Sequence, residues 1–238
     1  MAHLVSKSSY IRSLQCVKSL YLYKNFYRLR DPLPLERKIR FEQGHNIGKL
    51  AWQLFPGGVD ASPTHISRFN ESVELTKQLI MLKTKVIYEA AFIFNDVLVA
   101  LDILIFDNDG WKAYEVKSST SISETYMNDA ALQYYVLSGS GLLLKDFSII
   151  HLNKHHSEIE DTDTAENIFQ ISSIIEECKM HTEDINSHIQ NMRFILAGKT
   201  IPQVEMGAHC NQPYTCDFIG LCSKNNEVIN TGLFEAFK

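Results

Sequence analysis

The sequence has no apolar run approaching the roughly eighteen residues that a membrane-spanning helix needs. Its opening stretch, "MAHLVSKSSYIRSLQCVKSL", also lacks the apolar centre of a secretory signal, so a cytoplasmic protein with no membrane partner is the expectation. The same stretch is Ser-rich and free of acids, which leaves a cleaved organelle transit peptide as the alternative; cleavage would remove Cys16. Cysteine is scarce, five in 238 residues, and without a secretory signal a reducing compartment is expected, which argues against a disulfide framework. Internal repeats and low-complexity tracts are absent. What remains is a chain 45% hydrophobic, enough to bury the core of one large domain or of a domain with an appendage.

The net charge of -5 argues against a non-specific nucleic-acid binder, but it is unevenly spread. Residues 1–40 hold nine Lys or Arg against Asp31 and Glu36, a net +7, while the rest of the chain carries -12. A basic segment on an acidic body is expected where one surface meets phosphate; a solvated helix face is the alternative. Within it, Tyr21, Tyr23, Phe26 and Tyr27 alternate with Lys24, Arg28 and Arg30. Such a segment could stack unpaired bases while its charges follow the backbone, although about half of these aromatics are expected in a helix core.

Periodicity predicts a helix over 36–55, with Ile39, Ile47, Leu50, Leu54 and Phe55 inward, ended by Pro56-Gly57-Gly58. A second helix is expected over about 64–83, with Phe69, Val73, Leu79 and Leu82 on its inner face. Strands are predicted at 86–94, 97–106 and 111–118, separated by "ND" and "DNDG" turns. A helix over 124–137 stops at "SGSG", and 146–152 reads as a further strand. The order is α-α-β-β-β-α-β, followed by a mostly helical section over 164–197 and a Cys-rich loop. Three regions are expected: a basic N-terminal segment (1–35), an α/β core (36–157) and a helical, Cys-rich C-terminal region (158–238).

If "DNDG" joins antiparallel strands with Phe106 opposite Trp111, then Asp102 lies opposite Glu115. Opposed residues have Cβ atoms about 4.5 to 5.5 Å apart, and like charges there destabilise a sheet unless something positive lies between them. Glu115 and Lys117 share a strand face, with Tyr114 and Val116 on the other. Hard oxygen ligands with open water positions suit Mg2+ or Mn2+ acting on a phosphate ester, with Lys117 positioning water or stabilising developing charge. An ordinary Glu-Lys pair beside one tolerated Asp is the alternative. A calcium loop fits less well, because Ile105 and Val116 would fall on its first and last ligand positions.

The ordered set Glu89, Asp102, "EVK" at 115–117 and Gln133 in "DAALQYYVL" resembles the PD-(D/E)XK nuclease superfamily. Four cysteines split as Cys16 upstream and Cys210, Cys216 and Cys222 downstream narrow the resemblance to RecB-like, CRISPR-associated iron-sulfur exonucleases. It implies a restriction-endonuclease-like α/β core, a mixed sheet flanked by helices, with a helical, Cys-ligated metal-cluster appendage. It implies metal ligation by Asp102, Glu115 and the Val116 carbonyl, assistance of the attacking water by Lys117, support from Gln133, and Glu89 as an auxiliary acid. It further implies single-stranded DNA as substrate and, by analogy alone, CRISPR integrase proteins as partners; repair or mobile-element defence fits equally. Two departures stand out. Gly48 occupies the His position of the family's G-x-x-x-H helix, with His45 nearby, and five residues rather than two separate Cys210 from Cys216.

Four cysteines fit either an iron-sulfur cluster or Zn2+, and the resemblance favours 4Fe-4S. The fifth, Cys178, reads as a small helix residue. The expectation is thus a metal-dependent DNA nuclease with a structural cluster; the alternatives are a catalytically silent DNA-binding or scaffold protein and a zinc-stabilised nuclease.

Overall fold

The protein is described from a computed structural model covering residues 4–154 and 164–224. The expected boundary at 157/158 lies outside the described residues. Chain contacts divide the protein into two units, Ile39–Ile185 and a second built from Met1–Lys38 with Asn186–Lys238. The helices, in chain order, are α1 (Lys7–Gln15), α2 (Val17–Asn25), α3 (Leu35–Ala51), α4 (Phe69–Met81), α5 (Glu124–Gly139), α6 (Ala165–Ile168), α7 (Ile175–Met180), α8 (Thr182–Ala197) and α9 (Ile219–Lys224). The strands of the 39–185 unit are β1 (Val59–Asp60), β2 (Val86–Phe94), β3 (Val97–Asp107), β4 (Gly110–Lys117), β5 (Leu144–Leu152) and β6 (Phe169–Ser173).

These strands form a mixed sheet in the order β1-β2-β3-β4-β5-β6. The β2-β3-β4 meander is antiparallel, β5 runs parallel to β4, and β6 closes antiparallel to β5. Helix α5 supplies the crossover that a parallel pair requires. The fold is α/β, a mixed sheet flanked by helices. On one face Tyr88, Ile103, Tyr114 and Ile150 form a core with Ala51, Ile168 and Phe169, against which Ile47, Leu50, Trp52 and Phe55 pack. A second cluster joins Val73 of α4 to Ala91 and Leu98.

Two expected inner residues are solvent-exposed: Ile39 and Leu82. Only the last turns of α3 reach the core, and α4 ends at Met81, after which Lys83 takes a left-handed φ of 52° that reverses the chain. The sheet unit extends to Ile185, beyond the expected 157. Strand β6, inside the section read as helical, pairs with β5; its "FQISS" leaves Gln170 and Ile171 exposed, as an edge strand does. Among the described residues no helix is long and apolar enough to cross a membrane.

The second unit is organised around Asp217. Its carboxylate accepts from Arg12 Nη2 at 2.6 Å and from Arg37, with its own side chain 7% exposed. Its main-chain carbonyl accepts from Asp31 N at 2.7 Å, and Asp31 in turn accepts from the Gly220 amide at 2.8 Å. Burial pushes the Asp217 carboxyl up, but Arg12 and then Arg37 outweigh it and hold it below the usual range. A Cβ on Gly220 would stand 2.5 Å from Asp31 Oδ1, so a side chain there would displace the Asp31 carboxylate.

Two outcomes follow. Because a Cβ on Gly139 would lie 2.3 Å from the Phe94 ring, Gly139→Ala is expected to lower the urea midpoint, costing about 1 to 3 kcal/mol as overpacking. A depressed carboxyl contributes stability above its unfolded value, about pH 4, that is lost as pH falls through the folded value. Asp217→Asn should therefore lose about 1.5 to 3 kcal/mol at pH 7, the scale of hydrogen bonds to a charged group, and flatten the acid limb of the stability profile. Urea melts at stepped pH measure both effects.

Candidate active site

Two tight turns set the geometry of the site. Asn95 and Asp96, at φ of 48° and 50°, join the closing pair Phe94 and Val97 in a two-residue loop whose left-handed residues match the twist of a hairpin. Asn108, at φ 59°, opens the next two-residue loop, and Phe106 then pairs with Trp111 and Ile103 with Tyr114. This is the expected register. The last pair of the ladder is Ile103 with Tyr114; continued by one step, the register carries Asp102 of β3 toward Glu115 of β4. On the other side of β3, Tyr88 pairs with Ile103 and Ala90 with Leu101, so Glu89 stands at the position facing Asp102. By extension of the two registers, Glu89, Asp102 and Glu115 fall at corresponding positions of three neighbouring strands.

Backbone irregularities fall at these positions. Glu89 takes a left-handed φ of 53° within β2, a conformation that costs a residue with a side chain about 1 to 3 kcal/mol and tends to mark functional sites. The β3-β4 ladder stops at Tyr114, and the Val116 amide donates to Asp102 Oδ2 at 2.6 Å. That bond fixes the Asp102 carboxylate against the strand that carries Glu115.

Lys117 lies on the same strand face as Glu115 and donates to its Oε1 at 2.8 Å. It also donates to Asp129 Oδ2 of α5 at 2.5 Å, and its ammonium sits 5.1 Å from the Tyr126 ring centroid. Glu115 is 3% exposed and Asp129 8%. Burial works to neutralise Lys117, but Asp129 and then Glu115 outweigh it and hold the ammonium well above the ordinary lysine range.

Helix α5 starts at Ser123, whose hydroxyl accepts from the Tyr126 amide. Asp129 and Gln133, four residues apart, share one helix face. Gln133 is fully buried, and neither its amide oxygen nor its nitrogen has a hydrogen-bond partner. Hydrogen bonds thus join Val116 to Asp102 and Lys117 to Glu115, with Glu89 on the strand beside Asp102; no hydrogen bond joins Gln133 to them. Asp129 was missed in sequence reasoning. Its signal was the i, i+4 spacing to Gln133 on a helix that follows Lys117 directly.

In α3, Gly44 and Gly48 have open space where a Cβ would stand, and His45 is exposed. Among the described residues, no three His, Cys, Asp or Glu side chains are gathered as a ready metal-holding group. A cation at Asp102 and Glu115 would thus be completed by a main-chain carbonyl and water, a hard-oxygen set that Mg2+ and Mn2+ accept.

In the second unit Cys16, Cys210, Cys216 and Cys222 line one cavity with Lys18, Leu22 and Phe218. The Cys216 amide donates to the Cys210 carbonyl at 2.8 Å, and the Cys216 thiol lies 3.5 Å from Ser19 Oγ. His209 Nε2 is 3.7 Å from Cys210 Sγ. Burial raises the thiols of Cys16 and Cys222, and the neighbouring cysteines raise both further. Four soft donors facing one cavity fit a thiolate-ligated centre by chemistry, although they do not stand at ligating positions. Cys178 is fully buried in α7, its thiol pushed up to about 12 by burial and by Glu177 and Asp146.

Fewer basic residues of the N-terminal segment face solvent than its charge suggests. Arg12 and Arg37 turn to Asp217, Lys18 is buried, and Lys24 donates to the Leu4 carbonyl. Arg28 is exposed, and Arg30 lies 4.2 Å over the ring of Tyr27, itself 47% exposed. Tyr21 and Phe26 are buried in a cluster with Leu22 and Phe218, so half of the four aromatics are core.

No protein-family profile and no curated protein matches the chain. Its fold is similar to the crystal structure of SSO0001, at 9% identity and a TM-score of 0.45, over 92% of this chain and 85% of that one. It is also similar to LHK-Exo in complex with dAMP, at 11% identity and a TM-score of 0.29, over 80% of this chain and 90% of that one. Likeness at these scores carries no argument about family or activity.

Proposed function

We propose that the protein is a metal-dependent DNA nuclease, acting as an exonuclease on single-stranded DNA. What supports this reading is the Val116 amide bound to Asp102 beside Glu115, with Lys117 on the strand face of Glu115 and bonded to it. Asp102, Glu115 and the Val116 carbonyl would hold Mg2+ or Mn2+, which when bound polarises a phosphoryl oxygen and lowers the pKa of water. Lys117, a fixed cation, donates to the attacking water or to the oxygen that gains charge. Glu89 adds negative charge beside Asp102, and Gln133, with its amide unspent, supports the site from the helix side. Arg28 and the Arg30-Tyr27 pair, with Lys24, form the DNA contact of the N-terminal segment.

Cys16, Cys210, Cys216 and Cys222 would hold a 4Fe-4S cluster that ties the N-terminal segment to the C-terminal loop and has no part in hydrolysis. A zinc-stabilised nuclease differs only in metal content. By analogy with CRISPR-associated nucleases, integrase proteins are the partners proposed.

One observation favours a second reading, a catalytically silent DNA-binding or scaffold protein: Gly48 stands where a ligating His is expected, and His45 is exposed.

End-labelled single-stranded and duplex DNA, incubated with anaerobically purified protein, decides between them. Cutting should require Mg2+ or Mn2+, prefer the single strand, and disappear in Glu115→Ala. Lys117→Ala should lower kcat roughly 10² to 10³-fold, the cost of losing a donor aimed at developing charge. Since a Cβ at position 48 meets open space, Gly48→His is expected to fold and to raise metal-dependent cutting. Absent cutting in all variants, with DNA binding retained, selects the scaffold reading. Iron content and visible absorbance should fall in Cys16→Ala and Cys222→Ala; zinc in place of iron selects the zinc reading, and normal folding, metal and cutting in both variants would remove the structural role.

A further inference from the structure

We infer that Asp129 is a positioning residue that keeps the Lys117 ammonium in place when Glu115 turns to a divalent cation. The inference rests on the nuclease reading. Lys117 has two carboxylate anchors on different elements, Glu115 on its own strand at 2.8 Å and Asp129 on α5 at 2.5 Å. The first is also a proposed metal ligand. A cation that takes the Glu115 oxygen leaves Lys117 with Asp129 and the Tyr126 ring as its only contacts of those three.

The placement of Asp129 favours this role over simple charge burial. It sits beside Ala130 and Ala131 on the buried part of α5, and its Oδ1 has no hydrogen-bond partner. A carboxylate with one oxygen buried and unpaired weakens a fold, and such a defect is found mainly where function needs the group. Two anions on one cation also leave the trio with one formal negative charge, which suits the approach of a second cation. Without Asp129 the ammonium would fall to Glu115 alone and compete there with the metal.

The test is Mn2+ titration by calorimetry of the full chain, with kcat and KM on single-stranded DNA, for wild type, Asp129→Asn, Asp129→Glu and Lys117→Ala. Asp129→Asn should weaken Mn2+ binding and lower kcat by up to roughly 10 to 100-fold, the scale for losing a hydrogen-bond partner around a metal site. KM should stay within about twofold. Asp129→Glu should recover most of both, and Lys117→Ala should bind Mn2+ at least as tightly as wild type. In the Lys117→Ala background, Asp129→Asn should add nothing, as expected for residues acting as one unit. Asp129→Asn that matches wild type in both Mn2+ affinity and kcat, or that costs as much without Lys117 as with it, overturns the inference. If Asp129→Asn fails to fold, by circular dichroism, the Asp129→Glu and Lys117→Ala pair still decides: any defect of Asp129→Glu must vanish without Lys117. A wild type that never cuts but keeps the Mn2+ order sinks the nuclease reading alone; cutting without the Mn2+ order sinks only the role of Asp129.

Discussion

The site depends on the register of the β3-β4 hairpin. Side chains alternate along a strand, so a slip of one residue would send Glu115 and Lys117 to the Tyr114 face and away from Asp102. Two-residue loops at Asn95-Asp96 and Asn108-Asp109 prevent the slip, each using a left-handed residue that Asn tolerates. The cross-sheet pairs Phe106-Trp111 and Ile103-Tyr114 then carry the register from the loop to the carboxylates. Local turn chemistry thus sets the distance between acids that are thirteen residues apart in the chain.

Both units solve one electrostatic problem in the same way. A carboxylate removed from water needs a cation, and a buried cation needs more than one anion or donor. Lys117 stands between Glu115 and Asp129, and Asp217 stands between Arg12 and Arg37. The first arrangement leaves acid in excess in a region of strained backbone at Glu89, which is where chemistry is expected. The second leaves base in excess beside the cysteines and reads as a brace for the chain on either side of Cys216.

Much of this was legible in the sequence, for local reasons. The "ND" and "DNDG" turns and the alternation in "LVALDILIF" and "WKAYEVK" carry strand order, register and facing, so Asp102 could be assigned to one hairpin strand and Glu115 and Lys117 to one face of the other. Asp129 was legible only as a residue four before Gln133 on the same helix face; its inward role appears with the tertiary contact to Lys117. The basic character of residues 1–40 was legible as charge but not as surface, since Arg12 and Arg37 meet Asp217, some 180 residues or more away. Strand β6 escaped because "FQISS" has too few apolar residues to signal an edge strand.

The most direct test of the central claim is an anomalous-difference map at the manganese edge from crystals soaked in Mn2+. The account predicts a peak between Asp102 and Glu115, in contact with both carboxylates and the Val116 carbonyl, that vanishes in Glu115→Ala. Manganese bound elsewhere, with no density between these two residues, would contradict it.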